Sequence, residues 1–187
     1  RQHLSRLSPR YLLINSGNAI AGTGEAGMVD ARQSCAALAV RAGCSAEQVL
    51  PFSTGVIGER LPLDAIEAVL DKAMAGLSSD GWKRAAHAIM TTDTGAKGVS
   101  TPVVLAGQTI TVTGIAKGAG MIRPAMATML AYLASDARIE AADLQHCLEQ
   151  AVQRSFNRIT VDGDTSTNDA CVLVATAASG SSLINAG

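Results

Sequence analysis

The 187-residue chain is long enough for one domain with a substantial core, and its 48% hydrophobic and 17% charged residues are typical of a globular protein. Its formal net charge of −1 gives no electrostatic reason to expect nucleic acid or an anionic membrane as a partner. We find no apolar run long enough to span a bilayer and no signal peptide, and therefore expect a cytoplasmic protein without membrane contact.

The cysteines and histidines do not have the spacing of a metal site, so we predict that no metal is bound. Cys35 falls in an apolar predicted helix and Cys171 in an apolar predicted strand. Cysteines in such positions behave as small buried hydrophobic residues. Their pattern therefore predicts free thiols in a reducing compartment.

The first part of the chain places a glycine-rich turn between a strand and a helix. Apolar residues 11–15 predict a buried strand, and residues 28–42 predict a helix. Between them, Gly22, Gly24 and Gly27 fit the G-x-G-x-x-G pattern of dinucleotide-binding loops. Six residues separate the predicted strand from the first of these glycines, whereas the dinucleotide fingerprint follows its strand directly. The pattern therefore favours a structural turn, with a nucleotide-binding module as the alternative.

A second apolar run, residues 49–52, predicts another strand that leads into Thr54 and Gly55. A Thr-Gly turn after a strand can present a hydroxyl and a backbone N–H to the same point, as an oxyanion hole requires. An ordinary turn satisfies the same pattern. The motif alone leaves both interpretations open.

Two helices are predicted next, over residues 64–75 and 82–90. The first is amphipathic, and three of its apolar residues are expected to face inward. These are Ile66, Val69 and Leu70. The second helix ends in the TTDT run of residues 91–94, whose hydroxyls and carboxylate suit a helix end followed by a turn.

The middle of the chain leads through a hairpin into the segment KGAGMIRPAMATML, residues 117–130. The hairpin is predicted from alternating residues 101–105 and 109–115, and its second strand delivers Lys117. Gly118 and Gly120, which follow this lysine, allow another group to approach the backbone closely. Pro124 fixes its own φ and predicts a bend in the chain before Ala125. An apolar run over residues 126–134 then predicts a buried helix.

The last part is predicted as a helix followed by two strands with a polar turn between them. The helix covers residues 141–155, and the strands cover residues 156–161 and 170–177. The turn is the DGDTSTND run of residues 162–169. Asp162, Asp164, Ser166 and Asn168 follow the pattern of a calcium-binding loop. The sixth position of such a loop would be Thr167 and not glycine, and the twelfth would be Leu173 and not glutamate, so the calcium interpretation fails.

Five of these segments closely resemble the bifunctional ornithine acetyltransferases, or glutamate N-acetyltransferases, of arginine biosynthesis. Together they extend over nearly the whole chain, which makes the resemblance more specific than any single motif. In the first segment, Ile20 stands where the family signature has asparagine. The segments are NSGNAIAGTGEAG, STGVIG, TTDT, KGAGMIRPAMATML and DGDTSTND.

The resemblance implies that the protein cuts its own chain before a threonine that then carries the acetyl group. Matching the family's MATML run makes Ala127–Thr128 the scissile bond and Thr128 the nucleophile. A threonine at a chain N-terminus is an effective nucleophile because its own amine can accept the hydroxyl proton. The resemblance also implies that Thr54 and Gly55 stabilise the oxyanion of the tetrahedral intermediate.

Two further residues are predicted to bind substrate, the first of them by its match to the family. The first threonine of TTDT contacts substrate, which corresponds to Thr91, with the adjacent Thr92 as the alternative. Lys117 is placed to bind a substrate carboxylate or to neutralise charge in the site. The DGDTSTND turn is expected to support the active site.

The implied fold is α+β, with stacked β-sheets flanked by helices in an αββα sandwich. Residues 1–187 would form a single, incomplete catalytic domain, since family members extend beyond both ends of this sequence. The implied function is ping-pong acetyl transfer from N-acetylornithine to glutamate in the cytoplasm, with no cofactor and with acetyl-CoA as an optional second donor. The two fragments would associate as an α2β2 heterotetramer. The alternative enzyme activity is that of a self-processing amidohydrolase or aminopeptidase of related fold, in which water accepts the acyl group.

Overall fold

The computed structural model describes Leu4 and residues 7–105, 107–123 and 129–185. The chain divides into two compact units, Arg1–Arg84 and Ala85–Gly187. The expectation of a single catalytic domain stays a prediction.

The first unit is built on two parallel strands connected through a helix. In chain order its elements are β1 (Tyr11–Asn18), α1 (Gly24–Ala42), β2 (Val49–Val56) and α2 (Leu63–Ala75). The two strands pair in parallel over their full lengths, from Tyr11↔Val49 to Asn18↔Val56. Parallel strands require a long crossover connection, and α1 supplies it. The predicted strands and helices of this part are confirmed, with longer bounds.

The core of the first unit consists mainly of small and aliphatic side chains. Cys35, Leu38 and Ala39 of α1 cluster with Val49 of β2 and Leu70 of α2. The predicted burial of Cys35 is confirmed, since only 1% of it is exposed. Small side chains allow α1 to lie close to the strand, because packing distance depends on side-chain size.

One of the three predicted inward-facing residues of α2 is not buried. Leu70 is buried and Ile66 is half-buried, but 54% of Val69 is exposed. Successive helical residues point about 100° apart, so a narrow buried stripe that includes Leu70 leaves its neighbour on the outside. The prediction for Val69 was wrong for this reason.

The second unit contains a mixed four-stranded sheet. Its strand order is β3-β4-β5-β6, with antiparallel pairing between β3 and β4 and between β4 and β5, and parallel pairing between β5 and β6. The crossover from β5 to β6 contains helix α4. The boundary between the two units falls inside the short helix α3. The elements are α3 (Trp82–Ala88), β3 (Lys97–Leu105), β4 (Gln108–Lys117), β5 (Leu130–Ser135), α4 (Ala141–Arg154) and β6 (Ala170–Ala175).

The predicted helix over residues 126–134 is wrong in the part that the structure describes. Leu130–Ser135 is β5, an inner strand between β4 and β6. An inner strand covered on both faces is apolar throughout, and so short an apolar run cannot be distinguished from a buried helix by its periodicity. Pairing with two neighbouring strands decides the conformation here.

The prediction of a strand over residues 156–161 is also wrong. The structure has a single 3-10 turn there, Phe156–Arg158, and β6 pairs with β5 instead. The preceding helix is confirmed, and the apolar residues along one of its faces are half-buried. That face contains Leu144, Leu148 and Val152.

Candidate active site

Lys117 is the last residue of β4, and its side chain is buried within the second unit. Only 3% of Lys117 is exposed, and its Nζ donates a hydrogen bond of 3.0 Å to Oγ1 of Thr91. Thr91 itself is exposed and follows α3. The structure therefore brings together the two residues that the sequence assigned to substrate binding.

The charge on Lys117 is influenced by burial and by two carboxylates. Burial lowers the pKa of Lys117, whereas the negative charges of Asp93 and Asp169 act to raise it. The net pKa shift is downward. A cation of this kind has lost much of its hydration, so it gains more from contact with an anion than a lysine in water does.

Asp93 connects the TTDT turn to the end of β4. Its carboxylate accepts hydrogen bonds from Nζ of Lys97 at 2.5 Å, from N of Gly118 at 2.8 Å and from N of Thr91 at 3.4 Å. Burial acts to raise the pKa of Asp93, but these hydrogen bonds outweigh it and hold the pKa below its ordinary value. The ionised carboxylate therefore fixes Thr91 near Lys117. From the sequence alone, Asp93 is predicted only as part of a turn.

The predicted nucleophile and cleavage site, Thr128 and Ala127, lie outside the described residues. The same is true of residues 124–126, which include the predicted bend. The assignments of these residues stay predictions.

The DGDTSTND turn contacts the described residues on both sides of 124–128. Oδ2 of Asp162 accepts from N of Met121 at 2.6 Å, and Oδ1 accepts from N of Ile122 at 3.1 Å. Oδ1 of Asp169 accepts from N of Met129 at 2.9 Å. The sequence predicted a turn that supports the active site, without individual roles. The contacts show that Asp162 and Asp169 bind the backbone on either side of 124–128, and a role in an active site stays a prediction.

A small cavity of about 30 Å³ lies beside Met129 and Asp169. It has room for about one water molecule and is far smaller than a typical ligand pocket. One of its lining residues is Cys171, and burial raises the pKa of this thiol to about 11. Cys171 is therefore protonated at neutral pH and unsuited to act as a nucleophile. The cavity is lined by Met129, Ala131, Val152, Phe156, Asn157, Asp169, Ala170 and Cys171.

In the first unit, Thr54 and Gly55 lie within β2 and not in a turn after it, which corrects the sequence prediction. Thr54 is 3% exposed and is paired with Ser16. Gly55 has a φ of +126°, and a Cβ atom there would lie 2.2 Å from the carbonyl oxygen of Gly17. Any side chain at Gly55 would therefore push the two strands apart, because such a distance is far below van der Waals contact.

Of the three glycines of the G-x-G-x-x-G pattern, Gly22 lies in the turn before α1, whereas Gly24 and Gly27 lie in the first turn of α1 itself. A Cβ atom on Gly27 would lie 1.7 Å from Oγ1 of Thr23, and one on Gly22 would lie 3.2 Å from N of Gly58. N of Gly58 also donates to the carbonyl of Ala21 at 2.9 Å. This packing accounts for Gly22 and Gly27 without a nucleotide, as the structural interpretation expected.

An ion pair connects the segment after β2 to α1. The guanidinium of Arg60 contacts both carboxylate oxygens of Asp30, at 2.9 Å and 2.5 Å, and Asp30 is 1% exposed. The hydrogen bond from Arg60 holds the pKa of Asp30 below its ordinary value. The pair restrains the polypeptide that follows Thr54 and Gly55. Asp30 lies near the start of the predicted helix and is followed by Arg32, Gln33 and Ser34, so the sequence carries no local signal that it is buried.

Within the ranges that the structure describes, no cluster of three or more His, Cys, Asp or Glu side chains is arranged to hold a metal ion. In the same ranges, none of the helices has the length and apolar character needed to cross a membrane.

These elements and contacts define an α+β protein in which a buried lysine and a buried aspartate lie beside an exposed threonine at the end of one strand. The family model named ArgJ matches residues 1–186. The chain therefore belongs to the ArgJ family, which confirms the resemblance found in the sequence.

The curated relatives carry the name arginine biosynthesis bifunctional protein ArgJ. The protein of Methylococcus capsulatus is 62% identical over 187 residues, which is 100% of this chain and 46% of that protein. The protein of Pseudomonas syringae pv. tomato is 59% identical over 167 residues, 89% of this chain and 41% of that protein. The chain thus spans less than half the length of these relatives.

Two solved structures share the fold. One is the arginine biosynthesis bifunctional protein ArgJ of Bacillus halodurans, with a TM-score of 0.54 and 36% identity, covering 64% of this chain and 61% of that one. The other is the ornithine acetyltransferase of Mycobacterium tuberculosis in complex with ornithine, with a TM-score of 0.55 and 34% identity, covering 69% of this chain and 67% of that one. They confirm the predicted α+β fold class.

Proposed function

We propose that the full-length protein transfers an acetyl group from N-acetylornithine to glutamate in arginine biosynthesis, after cutting its own chain between Ala127 and Thr128. The observation that carries this proposal is the match of the ArgJ family over residues 1–186, which include the complete KGAGMIRPAMATML segment. The hydrogen bond between Lys117 and Thr91 adds support, because the sequence had assigned both residues to substrate binding.

The proposed cleavage uses the hydroxyl of Thr128. Its oxygen attacks the carbonyl carbon of Ala127, the peptide C–N bond breaks, and the nitrogen takes up a proton to become the free amine of Thr128. Water then hydrolyses the resulting ester, which releases the carboxylate of Ala127 and restores the hydroxyl. The new amine can now act as the base for its own hydroxyl.

Acetyl transfer then proceeds in two half-reactions. The amine of Thr128 accepts the hydroxyl proton while the oxygen attacks the acetyl carbonyl of N-acetylornithine. Thr54 and Gly55 stabilise the negative oxygen of the tetrahedral intermediate, which collapses to acetyl-threonine and ornithine. The amine of glutamate next attacks the acetyl-threonine ester, and N-acetylglutamate leaves. This chemistry needs no metal or nucleotide, and acetyl-CoA would serve as the second donor of a bifunctional enzyme.

In this scheme Lys117 binds the carboxylate of the substrate. Its ammonium is buried next to the exposed hydroxyl of Thr91, so that both groups can donate to one carboxylate. A buried cation and an anionic ligand interact more strongly than the same groups in water.

We expect Lys117→Ala to raise the KM for N-acetylornithine at least about 10-fold, since a hydrogen bond to a charged group contributes about 1.5–3 kcal/mol. Lys117→Met is the matched variant, because it removes the charge but retains the apolar stem. Steady-state kinetics with varied N-acetylornithine measures the effect in both. An unchanged KM in the two variants would remove Lys117 from substrate binding.

The two fragments are expected to remain associated after cleavage. The proposed cut places β3 and β4 in the first fragment and β5 and β6 in the second, so one sheet would contain strands from both. The pairing of β4 with β5 joins them from Val112↔Ser135 to Lys117↔Leu130. Both fragments should therefore elute together in native size-exclusion chromatography and should separate in denaturant. Light scattering on the eluted protein tests the α2β2 stoichiometry. Separate elution without denaturant would contradict this prediction.

The proposed function is tested by intact-mass measurement of the purified full-length protein. We expect two fragments, the second beginning at Thr128, and the addition of one acetyl group to that fragment on incubation with N-acetylornithine alone. Release of free acetate without glutamate would instead favour the amidohydrolase. Binding of NAD in a direct titration would favour the nucleotide-binding module.

A further inference from the structure

The carboxylate of Asp162 accepts hydrogen bonds from the backbone of Met121 and Ile122, shortly before the segment 124–128. Both of its oxygens are used, since Oδ2 accepts from N of Met121 and Oδ1 from N of Ile122. The carbonyl of Ile122 in turn accepts from N of Val161 at 2.9 Å. Met121 has a φ of +53°, in the left-handed region that non-glycine residues rarely adopt. Strained backbone of this kind persists where the surroundings impose it, and Asp162 supplies part of that restraint.

The carboxylate of Asp169 accepts a hydrogen bond from the backbone of Met129, which directly follows the segment 124–128. Its Oδ1 accepts from N of Met129, and the carbonyl of Met129 accepts from N of Ala170 at 3.0 Å. The next residue, Leu130, begins β5 and pairs with Ala170. The N–H that Asp169 binds belongs to the peptide group formed with Thr128. Asp169 therefore fixes the group that is directly bonded to the proposed nucleophile.

The two carboxylates differ in what they join once the chain is cut. Asp162 and Asp169 both belong to the fragment that would begin at Thr128. Met121 and Ile122 belong to the other fragment, so the bonds of Asp162 become contacts between fragments. The bond of Asp169 to Met129 stays within the second fragment, one peptide from its new N-terminus.

We propose that Asp169 is a positioning residue for Thr128 in both self-cleavage and acetyl transfer, whereas Asp162 positions the chain for self-cleavage alone. This inference rests on the proposed cleavage at Ala127–Thr128. The physical reason is that misplacement of a reacting group by about 1 Å can cost about 10²-fold in rate. Asp169 binds the amide nitrogen of Met129, the residue that follows the threonine in both the uncut and the cut chain. Asp162 binds Met121 and Ile122, on the fragment that supplies the carbonyl for the first reaction, and neither of these two residues is assigned a role in the second.

The experiment compares four variants of the full-length protein: Asp169→Ala, Asp169→Asn, Asp162→Ala and Asp136→Ala. The last is a matched control, because Oδ1 of Asp136 also accepts from a backbone N–H, that of Thr111 at 2.7 Å, in the same sheet. Intact mass measured over time gives the rate of cleavage. Steady-state kinetics, divided by the concentration of cleaved chains, gives kcat and KM for acetyl transfer.

We expect Asp169→Ala to slow cleavage by about 10²-fold and to lower kcat per cleaved chain by about the same factor, with little change in KM. Asp169→Asn should restore most of both rates, since an amide oxygen can accept the same N–H. Asp162→Ala should slow cleavage by about 10-fold or more and leave kcat per cleaved chain at the wild-type value. Asp136→Ala should change neither. If Asp162→Ala is not cut at all, Asp162→Asn provides the cleaved chains.

Wild-type rates of cleavage and transfer in Asp169→Ala would overturn the role of Asp169. A loss of kcat per cleaved chain in Asp162→Ala as large as that in Asp169→Ala would overturn the division between the two residues. Failure of the proposed function has a different signature, because the wild-type protein would then remain uncut or Thr128→Ala would still be cut and active.

Discussion

Thr128→Ala is expected to leave the full-length protein as one uncut chain without acetyltransferase activity. The hydroxyl of Thr128 serves twice in the proposed mechanism, first against the Ala127 carbonyl and then against the acetyl group, and alanine has no hydroxyl. The amine that activates the hydroxyl also exists only after the cut. Intact mass and an acetyl-transfer assay on the same sample measure both losses.

Thr128→Ser is the matched control for this result. Serine retains the hydroxyl but lacks the methyl group that restricts the side-chain rotamer, so it should cut and transfer at reduced rates. In the serine variant, incubation with N-acetylornithine alone should still acetylate the fragment that begins at residue 128. The mechanism would be wrong if Thr128→Ala were cut and transferred acetyl.

Thr54→Ala should reduce kcat for acetyl transfer by about 10²–10³, the typical cost of losing one oxyanion donor. Thr54 is 3% exposed in β2, where its backbone is held by pairing with Ser16, so the substitution should leave the strand in place. Thermal denaturation monitored by circular dichroism verifies that the fold persists. Thr54→Ser should recover much of the rate because it restores a hydroxyl.

The adjacent Ser53 provides a matched control for Thr54. Its Oγ accepts a hydrogen bond of 2.8 Å from N of Ile20, which is a structural contact. Ser53→Ala should therefore lower the free energy of unfolding by about 1 kcal/mol and leave kcat nearly unchanged. Turnover of Thr54→Ala equal to that of the wild type would exclude Thr54 from the oxyanion hole.

The sequence alone predicted most helices and strands of this protein, because their apolar periodicity is a local property. The amphipathic pattern of α2 is one example, and the alternation that predicts the β3–β4 hairpin is another. The family also followed from the sequence, since its motifs consist of contiguous residues. The roles implied for Thr54, Gly55 and Thr128 have the same origin and remain predictions.

Tertiary structure decided the features that depend on residues far apart in the chain. Leu130–Ser135 is a strand and not a helix because β4 and β6 flank it, and nothing within the apolar run itself specifies those neighbours. The carboxylates of Asp93, Asp162 and Asp169 accept hydrogen bonds from backbone groups 25, 41 and 40 residues away. A short polar run such as TTDT or DGDTSTND satisfies the requirements of an ordinary turn equally well, so its local pattern cannot reveal these partners. Only the folded sheet brings each carboxylate to the N–H group that it binds.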